Sequence, residues 1–114
     1  MINAIQNALS GLIASSKRVE ASASNIANLQ TEGSLETGEK APYSALTVEQ
    51  SSDGNGGVKA NVIPKTTPFV PAYSPDSPFA NSEGLVGVPN IDLAEEAINL
   101  KLAEHTFKAN LKTI

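Results

Sequence analysis

The sequence predicts a mainly α fold carrying a small β-hairpin. Long N- and C-terminal helices would pack as an antiparallel coiled-coil-like pair, with the hairpin and a proline-rich extended segment between them. Three observations predict this. Apolar residues recur at alternating steps of three and four at both ends of the 114-residue chain, a glycine-rich turn sits near the middle, and prolines crowd the stretch after it. An apolar stripe repeating every 3.5 residues is the pattern by which one helix packs along another. The chain reads as a single domain, residues 1–114, with an N-terminal helix (1–28), a loop (29–42), a hairpin (43–63), a proline-rich connection (64–90) and a C-terminal helix (91–114).

The N-terminal stripe is Ile2, Ile5, Leu9, Leu12, Ser16, Val19, Ala23 and Ile26. The segment is rich in Ala and Ser and free of Pro, and Gly11 is its only breaker, costing about 1 kcal/mol relative to Ala. At 1.5 Å per residue the helix would be about 40 Å long. Its far side is mostly Ser, Asn, Lys and Glu and reads as the solvent face. Ser16 and Ala23 leave shallow places in the stripe that suit close approach of another helix.

Residues 29–42 are polar, contain two glycines and read as a loop. Tyr43 to Glu49 alternates loosely, Val58 to Ile63 alternates more clearly, and both read as strands. Between them Asp53-Gly54-Asn55-Gly56-Gly57 is a turn, since Asp-Gly and Asn-Gly tolerate positive φ. Pro64, Pro68, Pro71, Pro75 and Pro78 follow, which predicts an extended, semi-rigid connection with neither helix nor paired central strand. The last helix has a clear start, with Asp92 as N-cap, Glu95 at capping-box spacing and Pro89 just upstream. Its stripe is Leu93, Ala97, Leu100, Glu104, Phe107, Leu111 and Ile114, and Glu104 with Lys108 forms a favourable i,i+4 pair. These apolar residues need a cover, either the N-terminal helix or a neighbouring subunit.

Composition narrows the function. The net charge of −4 argues against nucleic acid, whose phosphates need an excess of Lys and Arg. No apolar run approaches the ~18 residues of a membrane span, so direct membrane insertion is not expected. Polar residues interrupt the N-terminal apolar positions, so no cleavable signal peptide is expected either. Absence of cysteine removes thiol chemistry. His105 lacks a partner within reach on its own helix, since neighbouring helical residues point apart. The Asp-Gly-Asn-Gly-Gly turn lacks the later ligands of a calcium loop and the Lys-Ser/Thr of a phosphate loop. No cofactor, metal or active site is expected, and the chain reads as a building block rather than an enzyme.

Three stretches carry a resemblance. Ala8-Leu9-Ser10-Gly11-Leu12-Ile13-Ala14 is similar to the opening helix of the bacterial flagellar rod proteins, within the wider axial family of rod, hook and hook-associated proteins. Ser24-Asn25-Ile26-Ala27-Asn28-Leu29-Gln30-Thr31-Glu32-Gly33 resembles that family's Asn-Ile-Ala-Asn-x-x-Thr-x-Gly signature. Val88-Pro89-Asn90-Ile91-Asp92-Leu93-Ala94-Glu95-Glu96, continuing to Phe107-Lys108-Ala109-Asn110-Leu111-Lys112-Thr113-Ile114, resembles its C-terminal helix. The stretches cover roughly half of the chain in the expected order, and Asn81 to Gly87 with the short length points to a proximal-rod member. The chain departs from the pattern at Ser34, where the family commonly has an aromatic residue, and at Glu104-His105-Thr106-Phe107.

The resemblance implies a structural subunit of the basal-body rod in the periplasm-spanning part of the flagellum, working in torque transmission and motility. It implies export through the flagellar type III apparatus, and other rod subunits and further copies of the chain as partners. It also implies an assembly interface made by Ile5, Leu9, Leu12, Val19, Asn25, Ile26, Asn28, Thr31, Leu93, Leu100, Phe107, Leu111 and Ile114. On the residues alone, Asn28 and Thr31 could equally just cap the first helix. A small helical binding or adaptor module, or a divergent paralogue that does not assemble, is the alternative reading. Such a module would be fully folded and monomeric or dimeric alone.

Overall fold

Helix α1 runs Ile2–Ala27, followed by strands β1 (Leu46–Ser52), β2 (Val58–Pro64), β3 (Phe69–Tyr73) and β4 (Leu85–Pro89), and then α2 (Leu93–Thr113). The computed structural model describes residues 2–36 and 40–114. The molecule is elongated, 62 × 24 × 15 Å, and α1 alone accounts for about 39 Å of that length. α1 packs against α2 on one side and against the β1–β2 hairpin on another.

A hairpin forms about the expected turn, with its first strand at Leu46–Ser52 rather than Tyr43–Glu49. β1 and β2 pair antiparallel from Leu46↔Pro64 to Ser52↔Val58. The Asp53 carboxylate closes the turn by accepting the backbone N–H groups of Asn55 (2.8 Å) and Gly57 (3.0 Å). Gly54 and Gly56 take φ of 88° and 90°, backbone geometry that side chains disfavour. At the other end of the chain, Asp92 caps α2 by accepting the N–H of Ala94 at 3.0 Å.

Two expectations need correction. The first concerns the prolines. The 64–90 connection is not unpaired: β3 and β4 form a second antiparallel sheet, from Phe69↔Pro89 to Tyr73↔Leu85. With two helices and two small sheets the fold is α+β rather than mainly α.

The register explains how prolines are tolerated. Gly87 exchanges both of its backbone hydrogen bonds with Gly33 (2.9 and 2.8 Å), so its N–H and C=O point away from β3. Residues opposite Gly87 and two positions on are therefore non-hydrogen-bonded pairs, and those are where Pro71 and Pro89 sit. A missing N–H costs no ladder bond there. Pro64 follows the same rule opposite Leu46, whose N–H and C=O also face outward.

The second correction concerns the helix pair. α1 and α2 do run antiparallel, with Gly11 against Asn110 and Asn25 against Glu96. Yet the residues buried on α1 are Ala8, Gly11, Ala14, Ser15, Ala21, Ser22 and Asn25, and on α2 they are Glu96 and Ala103. The centre of the contact is thus made by small and polar residues, while the large side chains of the apolar stripes stay exposed or half-buried at its margin. Small residues win because α1 must approach two elements at once, and short side chains permit the closest backbone approach. Among the described residues, the buried hydrophobic core is six alanines and Val86.

The face of α1 read as solvent-facing is also partly occupied. Three polar residues two turns apart bond the outward backbone groups of the hairpin. Ser10 accepts the N–H of Val58 (3.1 Å), Lys17 donates to the carbonyl of Ala60 (2.8 Å), and Asn25 holds Leu46.

Candidate assembly interface

The apolar stripes of both helices face outward. Leu9 is 50% exposed, Phe107 38% and Leu111 54%, and Ile5, Val19, Leu93 and Ile114 are exposed to a similar degree. Leu12, Ile26 and Leu100 are half-buried at the flanks of the helix pair. The two stripes meet along a shallow apolar groove lined by Ser16, Val19, Ala103, Glu104, Phe107 and Lys108. The outward surface is wider than the periodic stripe, because Ile13, Ile98 and Leu102 are also exposed. Their signal in the sequence was the i,i+4 spacing of Leu9–Ile13 and Ile98–Leu102, which widens each stripe. Contiguous exposed apolar surface of this kind is characteristic of interaction sites.

Behind this face lies a polar joint, and Asn25 is its centre. The side chain is 1% exposed and uses its whole hydrogen-bonding capacity. Its Nδ2 donates to the carbonyl of Leu46 (2.9 Å) and to Glu96 Oε1 (3.0 Å). Its Oδ1 accepts the Leu46 N–H (2.8 Å) and the Tyr43 hydroxyl (3.0 Å). Since that hydroxyl has one proton, the Ser24 hydroxyl at 2.7 Å must donate to the Tyr43 oxygen. The carboxamide thus pairs with Leu46 as a neighbouring strand would. It ties the end of α1, the base of the hairpin and the start of α2 together. Glu96, 2% exposed, sits in the first turns of α2, where the helix dipole favours its negative charge.

Asn28 and Thr31 do cap the first helix. Asn28 Nδ2 bonds the carbonyl of Ser24 (2.9 Å), and the Thr31 N–H bonds the carbonyl of Asn28 (3.1 Å). Thr31 Oγ1 reaches Asn28 Oδ1 at 3.3 Å. The chain then passes to Gly33, whose position is fixed by close approach. A Cβ there would collide with the backbone of Pro42 and Ala41.

On α2 the i,i+4 pair forms, with Lys108 Nζ 3.0 Å from Glu104 Oε1. The hydrogen bond from Lys108, then its charge, then that of Lys101 hold the Glu104 carboxyl below its ordinary value. A depressed folded value stabilises the fold above the unfolded value, and the gain is lost as pH falls through the folded one. Helicity of α2 should therefore decline slightly on acidification through the carboxylate range. Lys108→Ala should flatten that dependence in circular dichroism. His105 lies exposed on the same helix. No described helix is long and apolar enough to cross a membrane. Among the described residues, no three His, Cys, Asp or Glu side chains cluster as a metal site.

The two helices thus present outward apolar faces beside a hydrogen-bonded Ser-Asn-Ile-Ala-Asn turn, and sequence comparison places the class of the chain. Residues 5–33, the helix and its closing turn, match the family described as flagella basal body rod protein. Over its whole length the chain is 34% identical to the flagellar basal-body rod protein FlgC of Salmonella typhimurium, covering 87% of that protein. It is 32% identical to FlgC of Escherichia coli O157:H7, again over the whole chain and 87% of the relative. It is 31% identical to FlgC of Bacillus subtilis, over 90% of the chain and 81% of the relative. The chain belongs to the FlgC family of flagellar basal-body rod proteins.

Proposed function

We propose that this chain is a structural subunit of the flagellar basal-body rod, assembling through the outward faces of α1 and α2. The observation that carries this reading is the split use of each helix: small and polar residues face inward, while Ile5, Leu9, Val19, Phe107, Leu111 and Ile114 face out. Fully burying an exposed large aliphatic or aromatic side chain releases about 1.5–3 kcal/mol, and these part-exposed residues each have a part of that still to gain. Repeated between subunits, that gain supports a continuous helical wall able to carry torque.

Leu12, Ile26, Leu93 and Leu100 extend the same face. Asn25, Asn28 and Thr31 contribute by fixing where α1 ends and how the hairpin leaves it. The partners are other rod subunits and further copies of this chain, in the periplasm-spanning basal body. Delivery through the flagellar type III export apparatus belongs to the same reading.

The test is mass spectrometry of detergent-purified hook–basal bodies from cells expressing the chain. Near-stoichiometric recovery with other rod proteins is expected. Absence from intact basal bodies, despite expression in the same cells, would point instead to a non-assembling paralogue or an adaptor.

A further inference from the structure

A stripe that repeats every seven residues cannot choose its own register, because sliding one helix by a heptad restores the same apolar pattern. In this chain the choice is harder still, since the faces that meet are mostly Ala and Ser. Two contacts break the degeneracy. Gly11 leaves a notch in α1 that the Asn110 side chain fills, so that a Cβ on Gly11 would lie 2.5 Å from Asn110 Nδ2 and 2.7 Å from its Cγ. Asn110 is held in place by donating to the carbonyl of Thr106 (2.9 Å). Two heptads away on both helices, the buried Asn25 donates to the buried Glu96. Neither pair survives a slip. Moving α2 by one heptad would set Gly11 opposite Ala103, and Asn25 opposite Ala103 or Pro89.

We infer that Gly11–Asn110 and Asn25–Glu96 are the contacts that fix the register of α2 along α1. The outward stripes then fall side by side, with Val19 next to Phe107 along the shared groove. A docking partner sees one composite surface rather than two helices free to slide. The intrachain lock stands on contacts within the chain. Only its consequence for assembly rests on the rod-subunit reading.

The test uses the purified full chain and sets two effects against each other. Propensity alone says that Gly11→Ala, in the middle of a helix, raises the thermal midpoint. The lock predicts that it falls. Asn110→Ala opens the notch, so Gly11→Ala/Asn110→Ala is expected to melt at or above the wild-type temperature. A rise in midpoint for Gly11→Ala alone, or no rescue in the double variant, overturns the inference.

Register itself is read by disulfides in this cysteine-free chain. Gly11→Cys/Asn110→Cys should oxidise to an intrachain crosslink in dilute solution. Ala4→Cys/Asn110→Cys and Arg18→Cys/Asn110→Cys, each displaced by one heptad, should not. Adding Glu96→Ala to all three, with Asn25 kept to hold Leu46 and Tyr43, is expected to let the displaced pairs crosslink. A unique crosslink that persists without Glu96 would remove that pair from the lock. None of these readouts requires a rod, so failure here is separable from failure of the basal-body experiment.

Discussion

Asn25→Ala is expected to unfold most of the molecule at temperatures where the wild type is intact. Removing the carboxamide leaves both backbone groups of Leu46, the Tyr43 hydroxyl and Glu96 without the partner each has now. A buried polar group left unsatisfied costs about 1–3 kcal/mol, and more if it is charged. The combined loss is on the order of 3–5 kcal/mol after relaxation, comparable with breaking a buried charged pair. A core made, among the described residues, of six alanines and one valine has little reserve against that.

Asn25→Asp should be no milder, because it deletes the donor to Glu96 and places a second carboxylate beside it. Thermal unfolding measures the loss. Amide hydrogen exchange localises it, since the Leu46 N–H should lose protection first. A midpoint within a degree or two of wild type for Asn25→Ala would show that the joint does not hold the fold.

Leu9→Glu together with Leu12→Glu is expected to have the opposite profile, with the chain folded and the assembly gone. Leu9 is half exposed and Leu12 half-buried on the outward side of α1. The hairpin is held by Ser10, Lys17 and Asn25 on other faces of the helix. The cost to the isolated chain should therefore stay near ~1 kcal/mol. Between subunits, two carboxylates would have to be buried in an apolar contact, at several kcal/mol each without partners. Cells carrying only this variant should be non-motile, and the chain should be missing from purified basal bodies. Normal swimming by the double variant would remove α1 from the assembly interface.

The outward stripes and the hairpin were legible because each rests on local chemistry: heptad spacing for one, Asp-Gly and Asn-Gly turn preference for the other. Which neighbour a stripe meets was not legible. A periodic pattern states that a face is apolar, not whether its cover comes from the same chain. The intrachain contact was obscured because Ala8, Gly11, Ser15, Ser22 and Asn25 carry no strong hydropathy, although they too follow heptad-like steps. Ser10 and Lys17 read as solvated because a polar side chain that bonds a strand edge looks, in sequence, like one that bonds water.

Prolines hid the second sheet for a related reason. They exclude a strand only where its N–H faces the partner. Pro71 and Pro89 lie on the other parity, which depends on a bridge to Gly33 far away in the chain. The Asn25–Glu96 joint joins residues from opposite ends of the molecule and had no local signature.

The occupied strand edges bear on how such a protein can stick to itself. Open β-edges are templates for uncontrolled addition of further strands. Here α1 side chains bond outward groups of both hairpin strands, and Pro71 and Pro89 present ring nitrogens where an incoming strand would seek donors. Fibrillar growth along these sheets is thereby discouraged, while the helical flank stays adhesive. Self-association is thus biased towards the apolar lateral faces of the helices and away from strand-on-strand stacking at the edge positions that these side chains and prolines occupy.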